Sequence, residues 1–374
     1  MNETQQWRFD PLDTWFFREA RGFETSGHNE LSSLFPPPAR TVAGAIRTLI
    51  GEQQGVDWSR FREAPESAAL RTLIGDGDTL GQLQQRGPYP LYNGERLYPV
   101  PLHLLGKDDA YRFLEPGDPV SCDLGRVRLP RIREQAAGPL PGAKPLEGHW
   151  LGRDDLQRVL IGEPPQQVIK ASDLYHVEPR LGIARDNRRR TGQEGLLYQT
   201  RHLRPRPGLA IGVETAGLPA AQCPKPGVIR FGGEARPNAV SLYEQPPARL
   251  AAPPATHQRL LLMLLTHADF GDANHGWLPS SFEPSEQNGA RVWKGAIKGI
   301  CLTLECAVLG KAVREGGWDL ARQRPRPVRS LVPAGSLYFC TLEADPATAI
   351  QTLHGAQVGQ DRELGRGELA VGLW

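Results

Sequence analysis

Lysine is scarce in this chain: only seven of its 44 cationic side chains are lysines, so positive charge is carried almost entirely by arginine. Cysteine is scarce too. The five residues Cys122, Cys223, Cys301, Cys306 and Cys340 are scattered, with no C-x-x-C pair, which argues against a zinc ribbon or a disulfide framework. Long apolar runs are absent. The longest, Leu260 to Leu265, falls far short of the roughly 20 residues that cross a bilayer. The polar opening from Met1 to Asp10 has no signal-peptide core, so a cytoplasmic protein with reduced thiols and no membrane partner is expected. Catalytic signatures are missing as well: no nucleophile elbow, H-E-x-x-H, phosphate-binding P-loop or paired His and Cys. Asp108-Asp109 and Asp154-Asp155 are adjacent in sequence, so their side chains diverge and make no metal pair unaided. No catalytic residue, metal or cofactor is expected.

What is present is a loop-rich globular chain of 374 residues, with glycine and proline together about a fifth of it. That length predicts two domains. Trp7 to Phe17 reads as an opening strand interrupted by Asp10-Pro11. After the breaker Phe35-Pro36-Pro37-Pro38, Thr41 caps an expected helix with Val42, Ile46, Leu49 and Ile50 on one face and Gly51 as its stop. Gly44 inside it suggests close packing or backbone approach. Leu181, Ile183 and residues 196–203 form the arms of a hairpin with a polar tip at 186–195. A Pro/Ala-rich linker at 246–255 divides the domains, 1–245 and 256–374. Beyond it, Leu260 to Leu265 is read as a buried strand. Asp345-Pro346 is a helix cap followed by proline at the first helical position. The order strand, helix, strands, helix, strand occurs twice. The expected fold is therefore α+β, two ferredoxin-like βαββαβ domains with insertions, as in RRM-type modules.

Four basic features could carry function. The sharpest is the hairpin tip, Arg188, Arg189, Arg190, Thr191 and Gly192. Residues 180–206 hold eight arginines against Asp186 and Glu194, a net +6 in a chain whose total is +2. Guanidinium forks suit phosphates and stack on bases, so this stripe is an electrostatic footprint for a nucleic-acid backbone. A solvated loop would explain the same charges. The second feature is Lys311, Arg314, Arg322, Arg324, Arg326 and Arg329, which fits RNA, a protein partner or a surface loop. The third is Gly365-Arg366-Gly367, whose glycines let a backbone approach a ligand or serve a turn. The fourth is Arg18 and Arg21 before the proline run, with Arg40 beyond it. His28 and His202 are the histidines nearest these clusters; His202 is counted among the RNA-binding candidates, although an ordinary structural histidine would explain either.

Taken together these landmarks resemble the third subunit of the Cmr module, a RAMP-superfamily protein of type III-B CRISPR systems. The stretches that carry the resemblance are Asp10-Pro11-Leu12-Asp13 to Phe17-Arg18 with Arg21-Gly22, then Ser33-Leu34-Phe35-Pro36-Pro37-Pro38 to Gly44-Ala45-Ile46-Arg47. Gly182-Ile183 to Gly195-Leu196-Leu197-Tyr198, Gly232-Gly233-Glu234-Ala235-Arg236, Pro333-Ala334-Gly335-Ser336 and Gly365-Arg366-Gly367 complete it. Residues 52–150 match poorly and read as insertions. The resemblance implies two ferredoxin-like domains and a subunit that holds the repeat-derived 5′ tag of the guide RNA (crRNA) without cutting it. It also implies contacts with the Cas10-type large subunit and the backbone RAMP subunit. A RAMP ribonuclease that processes repeat RNA is the alternative, with His28 or His202 as its base, and a protein-only scaffold is a third reading.

Overall fold

The computed structural model describes all residues except 1–3, 21–29, 124, 135–137, 187, 188, 190, 220, 221, 244–246, 320 and 321, together with the side chains of 183–186, 191–197, 273 and 275. The fold is mixed α and β, about 16% helix and 44% strand. In chain order the principal elements begin with strand β1 (Gln5–Pro11), helix α1 (Ala39–Gln53) and strand β2 (Gln84–Tyr92). A hairpin of β3 (Ala110–Cys122) and β4 (Gly125–Ile132) and helix α2 (Arg153–Leu160) follow. Next come the long hairpin β5 (Tyr175–Asp186) and β6 (Thr191–Pro205), then β7 (Leu209–Ala216), β8 (Gly227–Arg230) and β9 (Pro237–Leu242). The last third supplies β10 (Arg259–Leu264), β11 (Glu283–Gln287), β12 (Ala290–Ile297), β13 (Ile300–Val308), β14 (Leu337–Leu342), α3 (Pro346–Leu353) and β15 (Leu369–Leu373).

The chain forms two compact units, and neither is continuous in sequence. One comprises residues 1–94, 172–246 and 314–329; the other comprises 95–171, 247–313 and 330–374. Residues 95–171 therefore pack with the C-terminal strands, although they precede the Pro/Ala-rich stretch.

In the first unit the sheet runs β8-β9-β1-β7-β2, every pair antiparallel. Trp7 and Phe9 alternate with polar neighbours on β1 and are buried. Trp7 satisfies its indole N–H on Thr215 Oγ1 at 2.8 Å. Helix α1 packs on this sheet through Val42, Ala45, Ile46, Leu49 and Ile50, the apolar face that the sequence spacing marks. The helix starts at Ala39, before Thr41, and Thr41 does not cap it. Pro38 occupies the cap position with no side-chain bond, and its carbonyl accepts from the Thr41 N–H at 2.9 Å. At Gly44 a Cβ would meet nothing within 4 Å, so close packing does not explain that glycine.

In the second unit the sheet runs β11-β12-β13-β14-β10-β15, again antiparallel throughout. Strand β10 explains its own uninterrupted leucines. Leu260, Leu262 and Leu264 enter one apolar cluster with Ala349, Ile350 and Leu353 of α3, while Leu261 and Met263 enter another with Phe113, Leu156, Val159 and Leu160. A strand covered on both faces has no reason to alternate. Each such leucine, once buried, contributes about 1.5–3 kcal/mol. The cap at α3 forms as expected, with the Asp345 carboxylate accepting from the Thr348 N–H at 2.9 Å. Among the described residues no helix is long and apolar enough to cross a membrane.

Candidate nucleic-acid interface

The long hairpin is the feature to which the basic sequence belongs. Its strands pair from Tyr175↔Pro205 at the base to Asp186↔Thr191 near the tip, with an irregularity between Ile183 and Arg185. Pairing thus reaches much closer to the turn than the expected loop at 186–195. Four observations fix the base. Trp15 and Leu203 exchange both backbone bonds at 2.8 Å. Thr14 Oγ1 lies 2.9 Å from His202 Nδ1. The Phe16 ring stacks on His202 at 4.9 Å with an 8° tilt. The Ser33 hydroxyl donates to the Arg201 carbonyl at 2.8 Å.

His202 is 0% exposed, so it is a structural pin and not an RNA-contacting side chain; this corrects its assignment from sequence. Its Nε2 lies 3.2 Å from Glu234 Oε2. Burial lowers its pKa, against the pull of Glu234.

Around this pin the arginines of the base meet carboxylates that lie mostly outside the 180–206 stretch. Asp13 receives Arg236 at 3.0 Å, Arg204 at 3.5 Å and Arg180 at 3.8 Å. Glu178 binds Arg180 at 2.7 Å and also binds Arg204. Hydrogen bonds from Arg204 and Arg180 hold the Glu178 pKa down to about 2. Arg201 pairs with Glu30, and Arg236 with Glu234 at 2.6 Å. Four arginines thus face four carboxylates at the base of the hairpin. The sequence count of +6 missed this because Asp13, Glu30 and Glu234 lie far away along the chain.

The cross-strand register places Glu178, Arg180 and Gly182 on the same face as His202, Thr200 and Tyr198. Gly182 has a clear purpose: a Cβ there would lie 2.2 Å from Tyr198 Cζ, so the glycine makes room for the ring. Tyr198 is 39% exposed, an aromatic plate beside the arginine row that composition alone did not single out. The opposite face shows Val177 (51% exposed) and Leu181 (73% exposed).

At the tip, Arg189 is exposed in the turn, and Thr191 and Gly192 pair across with Asp186 and Arg185. Arg188, Arg190, Arg21 and His28 lie outside the described residues. Arg18 is exposed and bridges Ser33, which brings it next to the Arg201 end of the hairpin. Arg40 is half-buried on α1.

Of the two readings that the sequence allows for Gly365-Arg366-Gly367, a ligand-facing backbone or a turn, the structure shows the turn, against the RNA-binding role expected of these residues. The Gly365 N–H donates to the Arg362 carbonyl at 2.8 Å and the Gly367 N–H to the His267 carbonyl at 3.0 Å. Arg366 is 3% exposed and lies 3.3 Å from Asp269 and 3.2 Å from Asp361. Gly367, at φ +68°, would place a Cβ 2.0 Å from the Val358 carbonyl oxygen. The loop is a packed turn in which the Gly365 and Gly367 N–H groups are spent inside the fold. In the second basic stretch, Arg322 binds Asp78 at 2.6 Å and Asp319 at 3.3 Å, and Arg326 binds Asp319 at 3.2 Å. Among the described residues no group of three or more His, Cys, Asp or Glu side chains could hold a metal ion.

An arginine hairpin anchored on a strand-rich two-unit protein is the setting in which the comparisons fall. The model of the family described as CRISPR-associated protein (Cas_Cmr3) matches residues 7–374. The chain belongs to that family and is a Cmr-module subunit of a type III CRISPR effector. It is similar to a chain in the cryo-EM structure of the type III-B Cmr-beta complex bound to cognate target RNA, with TM-score 0.50 and 16% identity over 90% of this chain and 86% of that one. A chain of the same complex bound to target RNA and AMPPnP gives 0.49 and 15%, with the same coverage. A chain of the Csm3–Csm4 subcomplex of the type III-A interference complex gives 0.39 and 10%, over 91% of this chain and 94% of that one. The likeness at 0.50 is one of fold. No curated protein sequence matches the chain.

Proposed function

We propose that this chain is a non-catalytic, crRNA-holding subunit of its effector complex. It binds the repeat-derived 5′ tag of the guide and stands between the Cas10-type large subunit and the backbone RAMP subunit. The observation that carries this reading is the charge arrangement of the hairpin. Asp13, Glu30, Glu178 and Glu234 pair with arginines of its base, so the arginine excess of the 180–206 stretch lies, in the sequence, with the run at 185–190 and with Arg206. A stem whose arginines are paired with carboxylates, leading to an arginine-rich turn sequence, suits the phosphate backbone of an RNA strand. Single-stranded RNA is commonly gripped by phosphate contacts and aromatic stacking, and Tyr198 supplies a ring beside the stem. Val177 and Leu181, exposed on the opposite face, suit an apolar protein neighbour. Both units carry the sheet order 4-1-3-2 of a ferredoxin-like module, as β9-β1-β7-β2 and as β15-β10-β14-β13. We read them as two such domains.

Burial withdraws His202 as a general base, which weakens the ribonuclease alternative. The test is to incubate the purified chain, and the assembled complex, with labelled repeat RNA. Retention without cleavage is expected. Cleavage, with or without divalent metal, would refute a non-catalytic role, and neither retention nor cleavage by the complex would leave a protein-only scaffold.

A further inference from the structure

Helix α1 carries a charge arrangement that the hairpin does not explain. Arg40 and Arg47 are seven residues apart on α1, two turns, and so point to the same side. Arg326 arrives from the 314–329 segment. Its Nη2 donates to the Gly77 carbonyl at 3.1 Å and lies 3.2 Å from Asp319. Asp76, next to Gly77, is the carboxylate that supports Arg47 electrostatically. Arg47 Nε is buried and has no acceptor among the described residues. Burial lowers the Arg47 pKa, Asp76 opposes this, and the neighbouring guanidiniums of Arg326 and Arg40 lower it further.

For the fold alone this arrangement is unfavourable. A buried donor with no acceptor costs about 1–3 kcal/mol, more when it is charged, and two like charges beside it add to the cost. A multivalent anion among the three guanidiniums would accept from Nε and turn both repulsions into attractions. A buried charged donor left without an acceptor is a reason to look for a ligand that supplies one.

An exposed aromatic beside Arg326 on the same segment bears on which anion would fit. Trp318 is 53% exposed on the short strand Trp318–Asp319, which pairs with Arg324–Pro325. The backbone N–H of Arg326 donates to the Gly317 carbonyl at 2.9 Å, one residue away. A phosphate pocket with an exposed indole at its margin suits a nucleotide strand better than a free phosphate, because the ring offers a stacking face for a base. We propose that Arg40, Arg47 and Arg326 form a second phosphate-binding site that takes one phosphodiester of single-stranded RNA, with a base stacked on Trp318. The proposal rests on the reading of the chain as an RNA-holding subunit and adds a contact remote from the hairpin.

The test uses the full chain in the assembled complex, with wild type, Arg47→Met, Arg47→Lys and the tip triple variant Arg188→Ala, Arg189→Ala, Arg190→Ala side by side. Guide-RNA affinity is measured from 50 to 200 mM salt, and the thermal midpoint of each RNA-free chain is measured separately. Arg47→Met is expected to keep or raise the midpoint while lowering the slope of log affinity against log salt by about 0.7. The wild type should then lose roughly threefold more affinity than this variant across that range. Arg47→Lys keeps charge without the fork and should fall between the two. A lower midpoint with unchanged affinity and slope in Arg47→Met would overturn the proposal and make Arg47 a structural residue. If Arg47→Met lowers midpoint and affinity together, Arg326→Gln decides. Reduced affinity at an intact midpoint supports the site, and unchanged affinity rejects it. Failure of the wild-type complex to bind RNA would sink the functional reading itself. RNA binding that is weakened by the tip variant but not by Arg47→Met would sink only this site.

Discussion

Replacing Arg188, Arg189 and Arg190 by alanine tests the proposed phosphate contact apart from stem structure, because the stem arginines have carboxylate partners of their own. Arg180, Arg201 and Arg204 are paired with Asp13, Glu30 and Glu178, so they displace no counterion from RNA. In the sequence, Arg188, Arg189 and Arg190 fall between the last paired positions, Asp186 and Thr191. Each cation that neutralises a phosphate on a single strand contributes about 0.7 to the slope of log affinity against log salt. Three such contacts give a slope difference of roughly 2, and a fourfold rise in salt then costs the wild type about 16-fold more affinity than the variant. The assay is guide-RNA binding by the reconstituted complex at 50, 100 and 200 mM salt, with Arg204→Ala as the control. The control loses the part-exposed pairs of Arg204 with Glu178 and Asp13, each worth about 0.2–1 kcal/mol of stability, and should leave the slope nearly unchanged. An unchanged slope and affinity in the triple variant, or an equal drop in the control, would show that the tip is a solvated loop and that the RNA runs elsewhere.

Other expectations follow from single contacts. Gly182→Val would force the Tyr198 ring aside; affinity should fall with little change in salt slope, which RNA titrations at two salt concentrations would read. Gly367→Val meets the Val358 carbonyl at a left-handed backbone position, so it should lower the unfolding midpoint by denaturant, while RNA affinity per folded molecule stays the same. Leu262→Ala on the doubly covered strand should cost about 2–5 kcal/mol in chemical denaturation. His103 lies buried between Phe113 and Phe339, with burial as the main cause of a pKa pushed down to about 3. Its stabilising contribution is full above about pH 6.5, the unfolded value, and is lost as pH falls toward 3, at a slope approaching 1.4 kcal/mol per pH unit. Denaturation midpoints at pH 7 and pH 5 should converge in a His103→Gln variant relative to wild type.

Local signals were the legible part of this chain. The apolar face of α1, the Asp345 cap of α3 and the strand at Leu260 to Leu265 each depend on neighbours within a few residues, and each formed. The twofold order of strands and helices was legible only in outline. In the first unit the connection from β1 to β2 contains α1, and in the second the connection from β14 to β15 contains α3. The corresponding connection from β10 to β13 holds the hairpin β11–β12 instead of a long helix. The grouping of residues 95–171 with the C-terminal strands was not readable, because it depends on which face of β10 covers Phe113, Leu156 and Leu160. Charge counts misled for the same reason. The carboxylates that neutralise Arg180, Arg201, Arg204 and Arg236 come from Asp13, Glu30, Glu178 and Glu234, brought together only by the sheet. A histidine in a basic stretch and a glycine-flanked arginine each had an RNA-binding and a structural reading in the sequence. Both His202 and Arg366 proved to be buried, each held by its own carboxylate.

The most direct measurement of the central claim is photo-crosslinking in the assembled complex, with 4-thiouridine placed in turn along the 5′ tag of the guide and the adducts mapped by mass spectrometry. Adducts on residues 180–206 of this chain, lost in the tip triple-alanine variant, are the predicted result. Tag adducts confined to other subunits would contradict it.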